Sequence, residues 1–239
     1  MGGNVYEIAA SDENCEVVCG VDRNIPENFK KPVYRSFQEV KERADVIIDF
    51  SSPAVLKSEL DWAEKHGCAV VLAATGYTAE DLKLIDTFAR KIPVFRTANF
   101  SLGVNLLVKL VKQAAETLGE KFDIEIIERH HNQKIDAPSG TAIMLADGAA
   151  AAFGGNKEYI NGRNGIVGKR GKEIGLHAVR GGTIVGEHEV MFAGEDEIIS
   201  LSHSARSKKV FATGAVTAAK WLAGKPAGLY DMNDVLSSL

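Results

Sequence analysis

The first hundred residues alternate between short apolar runs and amphipathic stretches. Apolar runs with only occasional acidic residues are typical of buried parallel strands, and apolar residues every three or four positions are typical of helices. The pattern predicts strands at 15–22, 44–50, 69–73 and 93–96, with helical segments at 5–10, 37–43, 53–66 and 78–90. Alternation of this kind implies an α/β fold, with a Rossmann-like, doubly wound parallel sheet covered by helices on both faces.

The pattern changes after residue 102. It predicts a long amphipathic helix, a partly alternating strand, a second helix, a glycine-rich loop and two further strands, at 105–118, 122–128, 140–152, 153–173, about 174–192 and 197–203. Strands that outnumber helices indicate a second, α+β domain. The apolar helix predicted at 210–223 is expected to return to the first domain. We therefore expect a dinucleotide-binding domain at 1–101 plus 208–239, and a substrate-binding and oligomerisation domain at 102–207.

Charge and composition exclude several functional classes. The formal net charge of −4 gives no electrostatic basis for binding nucleic acid or an anionic membrane. No apolar run reaches the ~18 residues of a membrane span, and no signal-peptide pattern is visible. The cysteines are odd in number, and the spacing of Cys15 and Cys19 fits no common metal pattern. We therefore expect a soluble, cytoplasmic protein with reduced thiols.

The segment 128–142 carries the most chemistry. A predicted strand ends in His130 and His131, Lys134 follows, and Gly140 and Thr141 stand at the start of a predicted helix. Histidine exchanges protons near neutral pH, and lysine supplies a positive charge or a proton. Free N–H groups at a helix start favour an anion, and glycine lets a ligand approach the backbone. The segment therefore suits a small carboxylate substrate and a proton-transfer step.

Two other interpretations of this segment are open. A surface turn with incidental polar residues explains any one of the side chains, although it explains the whole string less well. A zinc site is weaker, because adjacent histidines on a strand point to opposite faces and no third ligand stands nearby at metal spacing. We expect no metal site. The remaining histidines are interpreted as packed or structural: His66, His177, His188 and His203.

A second set of candidates lies in the first domain. Asp22 ends a predicted strand about 20 residues after Gly2, where an acidic side chain can bind the ribose hydroxyls of a dinucleotide, and Arg23 beside it could meet a 2′-phosphate. Three further polar segments each follow a strand, at 49–51, 73–76 and 97–100. Since ligands bind at the carboxyl ends of parallel strands, these segments predict a cofactor site along one sheet edge.

These residues resemble the 4-hydroxy-tetrahydrodipicolinate reductase (dihydrodipicolinate reductase) family over nearly the whole chain. The most specific likeness is Glu128–Thr141, which is similar to the family's signature of paired histidines, a lysine and Asp-Ala-Pro-Ser-Gly-Thr. The stretches Ala98–Asn105, Val185–His188 and Gly228–Leu236 are also similar.

The resemblance implies a role for each candidate residue. His130 is implied to be the proton donor and acceptor, Lys134 the second proton donor, and His131, Gly140 and Thr141 the ligands of the substrate carboxylates. Cofactor contacts are implied for Met1, Asp22, Arg23, Ala73, Ala74, Thr75, Thr97, Ala98, Asn99 and Phe100. The implied reaction transfers a hydride from NADPH or NADH to a hydroxylated cyclic imine dicarboxylate, with loss of water. The implied assembly is a homotetramer built through the sheet of the second domain.

The chain departs from the family pattern in two places. The family begins with a strand and a glycine-rich turn that cradles the cofactor pyrophosphate, whereas Met1-Gly2 resembles the Met-Gly that follows that turn. We therefore expect unpaired backbone in the neighbouring strands and weakened cofactor binding. Ala73 and Ala74 stand where the family has Gly-Thr, which crowds one backbone approach and removes one hydroxyl contact.

Two other functions compete with an active reductase of this family. Another two-domain NAD(P) oxidoreductase, such as a sugar dehydrogenase, would share the first domain but has no use for the 128–141 segment. A catalytically crippled oligomeric scaffold is favoured only by the missing strand.

Overall fold

The computed structural model describes residues 1–24 and 29–238. The chain divides into two compact units, of which the first contains Met1–Ser101 and Lys209–Leu239 and the second contains Leu102–Lys208. In chain order the described helices and strands are α1 (Gly2–Ala10), β1 (Gly20–Val21), β2 (Val33–Tyr34), β3 (Val46–Asp49), α2 (Leu56–His66), β4 (Ala69–Leu72), α3 (Ala79–Ala89), β5 (Pro93–Arg96), α4 (Leu102–Leu118), β6 (Asp123–His130), α5 (Gly140–Ala151), β7 (Tyr159–Asn161), β8 (Ile174–Arg180), β9 (Gly186–Ala193), β10 (Ile198–Ala205), α6 (Lys209–Leu222), β11 (Gly228–Tyr230) and α7 (Met232–Leu236).

The first unit is built on a four-stranded parallel sheet in the order β11-β5-β4-β3. Its inner strand β4 is apolar and buried at every residue, and β5 is buried at Val94 and Phe95, as is typical of a parallel sheet covered on both faces. In the register of the sheet, Asp49 of β3 lies beside Leu72 of β4, and Leu72 lies beside Arg96 of β5. The carboxyl ends of these three strands therefore meet at one edge.

Local sequence sets the ends of the helices in this unit. Gly67 ends α2 with φ 65°, in the left-handed region that glycine adopts without a Cβ penalty. Thr78 begins α3, since its Oγ1 accepts from the Asp81 amide at 3.2 Å and the Asp81 carboxylate accepts from the Thr78 amide at 2.9 Å. Helix α6 comes close to the backbone of residue 100, because a Cβ on Gly214 would lie 1.7 Å from the Phe100 carbonyl oxygen.

The strand predicted at 15–22 is much shorter in the structure. Only Gly20–Val21 is a strand, and it pairs with β2 in a separate two-stranded ladder. Among the described residues, β1 pairs with no strand other than β2, and β3 with none other than β4. A strand extends only as far as a partner satisfies its backbone groups, which explains why 15–19 lacks regular structure.

The second unit is a five-stranded mixed sheet in the order β10-β9-β6-β8-β7, covered by α4 and α5. The central strand β6 runs parallel to β8 and antiparallel to β9. Alternate residues of β6 are buried, which places Ile124, Ile126, Glu128 and His130 on one face. Glu128 and His130 therefore lie on the same buried face of β6 as the core residues Ile124 and Ile126.

An ion-pair network holds the loop that precedes β8 against the sheet. Arg163 and Arg170 of that loop each donate to Glu125 at 3.0 Å, and His177 Nε2 lies 2.7 Å from the same carboxylate. Burial by itself raises the pKa of Glu125, but these donors lower it to about 2. Gly175 leaves room for this carboxylate, since a Cβ there would lie 1.7 Å from Glu125 Oε2.

The prediction of one strand at 174–192 was wrong. The structure has two strands, β8 and β9, which run in opposite directions on either side of β6. The chain reverses through Gly181 and Gly182, and Gly182 has φ 50°. Three short strands were also missed: β2 lies between the first two predicted strands, β7 lies inside the predicted glycine-rich loop, and β11 follows the last predicted helix.

Candidate active site

Neighbouring strands of the second unit bring together three charged or titratable side chains. Glu128 and His130 are two residues apart on β6 and therefore share a face, and Glu128 Oε2 lies 2.6 Å from His130 Nδ1. Arg180, at the end of the adjacent β8, donates to both oxygens of Glu128 at 2.7 Å. Glu128 is fully buried and His130 is 8% exposed. The cluster is thus a buried ion pair with a histidine attached to it.

The loop after β6 is anchored to the same cluster. The Ser139 amide donates to Glu128 Oε1 at 3.0 Å, and Arg180 Nη2 donates to the Asp136 carbonyl at 2.6 Å. Lys134 Nζ donates to the Asp136 carboxylate at 2.8 Å, and this contact lowers the pKa of Asp136. Glu128 and Arg180 therefore fix the position of this loop, which carries Lys134 and leads into the start of α5.

Ser139 joins the loop to strand β9. Its Oγ accepts from the Ala142 amide at 3.2 Å, which caps the N-terminus of α5, and lies 2.9 Å from His188 Nε2. The His188 ring meets the His130 ring edge-on, with centroids 5.1 Å apart. Burial, and then the charge of His130, lower the pKa of His188 to about 4. His188 is therefore uncharged at physiological pH and packs against the His130 ring.

The predicted substrate-binding residues lie around this cluster. Gly140 is exposed at the first position of α5, and Thr141 follows it half-buried. His131 comes directly after His130, and its Nδ1 is buried without a hydrogen-bond partner among the described residues. The five residues predicted for catalysis and substrate binding all belong to the second unit. They are His130, His131, Lys134, Gly140 and Thr141.

The predicted cofactor residues lie in the first unit. The segments at 73–75 and 97–100 follow β4 and β5 at the shared edge of the sheet, where the Ala73 amide donates to the Asp49 carbonyl at 2.7 Å. Thr75 and Ala98 are exposed at this edge, whereas Asn99 and Phe100 are buried. The exposed positions leave backbone available to a ligand, and the buried ones support the loop.

Three other predicted cofactor residues lie elsewhere in this unit. Asp22 and Arg23 follow β1 and are exposed, and Asp22 Oδ1 accepts from the Asn24 amide at 2.9 Å. Met1 precedes α1, where its carbonyl accepts from the Val5 amide at 3.1 Å. The structure joins Asp22 to the β1–β2 ladder and not to the four-stranded sheet.

Sequence reasoning missed three residues of the Glu128–His130 cluster and its surroundings. Glu128 opens the 128–141 motif and was given no role, although its i, i+2 spacing from His130 on a strand is a usable signal. His188 was interpreted as packed or structural; it is packed, but against His130 and Ser139. Arg180 lies 52 residues from Glu128 and had no local signal.

The described residues contain neither a metal-ligand cluster nor a helix that could span a membrane. No group of three or more histidine, cysteine, aspartate or glutamate side chains in residues 1–24 and 29–238 is arranged to hold a metal ion. Within the same residues, no helix has the length and apolar character needed to cross a membrane.

Family models match both parts of the chain. The model described as "Dihydrodipicolinate reductase, N-terminus" matches residues 1–100, and the one described as "Dihydrodipicolinate reductase, C-terminus" matches residues 103–236. The junction between the two models falls at the boundary between the two structural units.

Curated relatives match the chain over nearly its whole length. The 4-hydroxy-tetrahydrodipicolinate reductase of Caldanaerobacter subterraneus subsp. tengcongensis is 50% identical over 99% of this chain and 94% of that protein. The protein of the same name from Clostridium novyi is 45% identical over 100% of this chain and 94% of its own length.

Solved structures give the same result at the level of the fold. Dipicolinate-bound dihydrodipicolinate reductase from Paenisporosarcina sp. TG-14 superposes with a TM-score of 0.80 at 25% identity, over 97% of this chain and 94% of that one. A probable dehydrogenase from Thermotoga maritima superposes with a TM-score of 0.61 at 12% identity, over 98% of this chain and 89% of that one, and shows the fold alone.

Proposed function

Since the chain belongs to the dihydrodipicolinate reductase family, we propose that it reduces 4-hydroxy-tetrahydrodipicolinate to tetrahydrodipicolinate with NADPH or NADH, in lysine and diaminopimelate biosynthesis. The observation that carries this function is the buried Glu128–His130 pair beside an anion-binding helix start, within a chain that aligns with reductases over almost all of its length. The first unit holds the cofactor and the second holds the substrate.

His130 exchanges a proton with the substrate, and Lys134 is the second proton donor. His130 is almost fully enclosed yet keeps one ring nitrogen, Nε2, outside its bond to Glu128. Lys134 is charged and paired to an exposed aspartate, a contact that water or a substrate carboxylate can replace. Proton transfer by a positioned side chain of this kind accelerates a reaction by about 10²–10⁴-fold.

His131, Gly140 and Thr141 bind the substrate carboxylates. The first amides of a helix have no carbonyl one turn earlier to bond, and the helix dipole adds a partial positive charge at this end. In α5 the Ala142 amide is capped by Ser139 Oγ. Gly140 places no side chain over these amides, and a Cβ there would meet no atom within 4 Å. A dicarboxylate therefore finds backbone donors, a histidine and a threonine within a short stretch of chain.

The residues of the first unit fit a nicotinamide dinucleotide. The carboxyl ends of β3, β4 and β5 coincide, which is where ligands bind on an open parallel sheet. Asp22 suits the ribose hydroxyls of NADH, and Arg23 suits the 2′-phosphate of NADPH; both are exposed. Residues 73–75 and 97–100 line the nicotinamide side, and Met1 contributes at the start of α1. When bound, the cofactor supplies the hydride.

The assembly is a homotetramer formed through the sheet of the second unit, in the cytoplasm. Support comes from an open apolar groove of about 300 Å³ between α4 and the edge strand β10, lined by Leu110, Ala114, Leu118, Ile199 and Leu201. Apolar surface beside an unpaired strand edge is typical of an association surface. Light scattering at native concentration measures the mass directly. The cysteines are all free, which suits a reducing compartment.

The test is imine-dependent NAD(P)H consumption by the purified chain, with the imine generated in situ by its upstream synthase. His130→Ala is expected to lower turnover by about 10²-fold or more with cofactor affinity little changed. His66→Ala, a histidine of the first unit bonded to the Trp62 carbonyl, is the control. Near-full turnover of His130→Ala would remove its assigned role. Absence of imine-dependent consumption would refute the reductase, and activity on sugars would favour a sugar dehydrogenase.

Neither alternative function gains support from the comparisons. The two curated relatives named above are 4-hydroxy-tetrahydrodipicolinate reductases that align through both units. A non-catalytic scaffold would have no need of the Glu128, Arg180 and His130 cluster, which the structure assembles from separate strands.

A further inference from the structure

Glu128 stays ionised despite its complete burial. Burial by itself raises the pKa of this carboxyl, but two bonds from Arg180, the contact with His130 and the Ser139 amide hold the pKa below its usual value. An ionised carboxylate has no proton to donate. In the 2.6 Å contact between Glu128 Oε2 and His130 Nδ1, the proton must therefore lie on Nδ1.

The other ring nitrogen of His130 is left for chemistry. Because a neutral imidazole carries one N–H, protonation of Nδ1 leaves the lone pair on Nε2. Gly186 at the start of β9 keeps the space beside Nε2 open, since a Cβ on this glycine would lie 3.1 Å from that atom. Among the described residues, the ring in contact with His130 is that of His188, which is neutral at physiological pH and makes an edge contact.

We propose that Glu128 is a positioning residue that fixes His130 in the tautomer protonated at Nδ1, so that Nε2 is the atom that exchanges a proton with the substrate. This inference rests on the proposed function. When His130 acts as acid, the Nε2–H bond breaks, its electron pair stays on Nε2 and the proton goes to the bound substrate. The Nδ1–H bond to Glu128 is unchanged throughout, and the carboxylate stabilises the doubly protonated ring.

The charged groups around His130 determine how loss of the Glu128 charge should affect the ring. The titratable or charged groups that face it lie on β6, β8, β9 and the loop after β6: Glu128, Arg180, His188, Lys134 and Asp136. Lys134 and Asp136 are paired with each other, and His188 carries no charge at physiological pH. Among the described residues, Glu128 is the anion in contact with the ring, so removing its charge removes that contact.

Glu128→Gln tests the tautomer, because its amide can donate to Nδ1 and favour the wrong form. In a buried serine protease triad, the equivalent change of aspartate to asparagine lowers kcat by about 10⁴-fold. We expect Glu128→Gln to lower kcat by about 10²–10⁴-fold with KM changed less than about threefold. The pH at which the acid-dependent activity is half lost should move down by about one unit or more, since the protonated ring loses its counter-charge.

Glu128→Asp and Glu189→Gln are the matched variants. Aspartate keeps the charge and should restore the pH midpoint even where it restores kcat only in part. Glu189→Gln removes a carboxylate on β9 that pairs with Arg129 at 3.5 Å, outside the cluster, and should leave both parameters unchanged. Wild-type kcat and an unmoved midpoint in Glu128→Gln would overturn the proposal.

The tautomer is also measurable without turnover. Histidine ¹⁵N NMR of the wild-type chain, with the His130 signal assigned by its loss in His130→Ala, should show the neutral ring protonated at Nδ1. A neutral ring protonated at Nε2 would overturn the proposal even if Glu128→Gln did not fold. If the wild type shows the Nδ1 tautomer but does not reduce the imine, the proposed function fails while the positioning role of Glu128 stands.

Discussion

The buried carboxyl of Glu59 predicts a loss of stability as pH rises. Glu59 lies on α2 with 0% of its surface exposed, and neither of its carboxylate oxygens has a hydrogen-bond partner among the described residues. Burial, and then the charge of Asp49, raise the pKa of Glu59 well above its ordinary value. The folded chain therefore keeps a proton that the unfolded chain releases.

The sign and size of the effect follow from this difference. Below the unfolded pKa of about 4.5 both states bind the proton, and stability is at its full value. Above it, the free energy of unfolding falls by up to about 1.4 kcal/mol per pH unit until the pH reaches the raised pKa of the folded state. Glu59→Met keeps the length of the side chain and removes both orphan oxygens, so we expect a gain of about 1–3 kcal/mol at neutral pH.

Tryptophan fluorescence during urea unfolding reports on the first unit, which contains Glu59. Trp62 and Trp221 are the only tryptophans in the sequence, and both belong to the first unit. The free energy of unfolding would be measured from about pH 5 to about pH 8 for the wild type, Glu59→Met and the control Glu64→Gln. Glu64 is an exposed acid of the same helix, paired with Lys91, and its loss should change stability by less than about 0.5 kcal/mol.

The outcome that would refute this reasoning is specific. If Glu59→Met were less stable than the wild type at neutral pH, or kept the same slope with pH, the carboxyl would have to be satisfied in the folded chain. In Glu59→Met the free energy of unfolding should fall less steeply with pH than in the wild type. It should not become independent of pH, because burial also raises the pKa of Asp49.

Two further predictions concern the second unit. Thr141→Val should raise the KM for the imine while kcat changes little, because it removes the proposed ground-state contact with a substrate carboxylate; steady-state kinetics with an unchanged KM would contradict the assignment. Gly175→Ala should destabilise the second unit by about 1–3 kcal/mol, since its Cβ would lie 1.7 Å from Glu125 Oε2 and displace the carboxylate from its three donors. Hydrogen exchange would measure this loss against Gly181→Ala, whose Cβ meets no atom within 4 Å; equal protection in both variants would count against the network.

Features encoded within a few residues could be predicted from the sequence. The start of α5 at Gly140 was predictable because Ser139 is a good N-cap and Pro138 excludes an earlier helix. The end of α2 at Gly67 and the start of α3 after Thr78 rest on equally local signals. The alternation of strand and helix gave the parallel order of β3, β4 and β5, because such strands pair with their neighbours in sequence.

Features that depend on distant partners could not be predicted. Arg180 reaches Glu128 only because β8 pairs with β6, and nothing near Arg180 in the sequence indicates a buried carboxylate. Strand length failed for the same reason at 15–22, since the extent of β1 depends on which strand lies beside it. The three residues of β7 were too few for periodicity to show within a glycine-rich segment.

The return of α6 to the first unit has a consequence for the order in which the chain folds during synthesis. The second unit is one continuous segment, Leu102–Lys208, and its contacts are complete once that segment has left the ribosome. The first unit waits for α6, which covers β3, β4 and β5 and is tied to the N-terminal region by Lys209–Glu7 and Lys220–Asp12 ion pairs. The nascent chain therefore completes its second unit while the apolar strands of its first unit are still uncovered by α6.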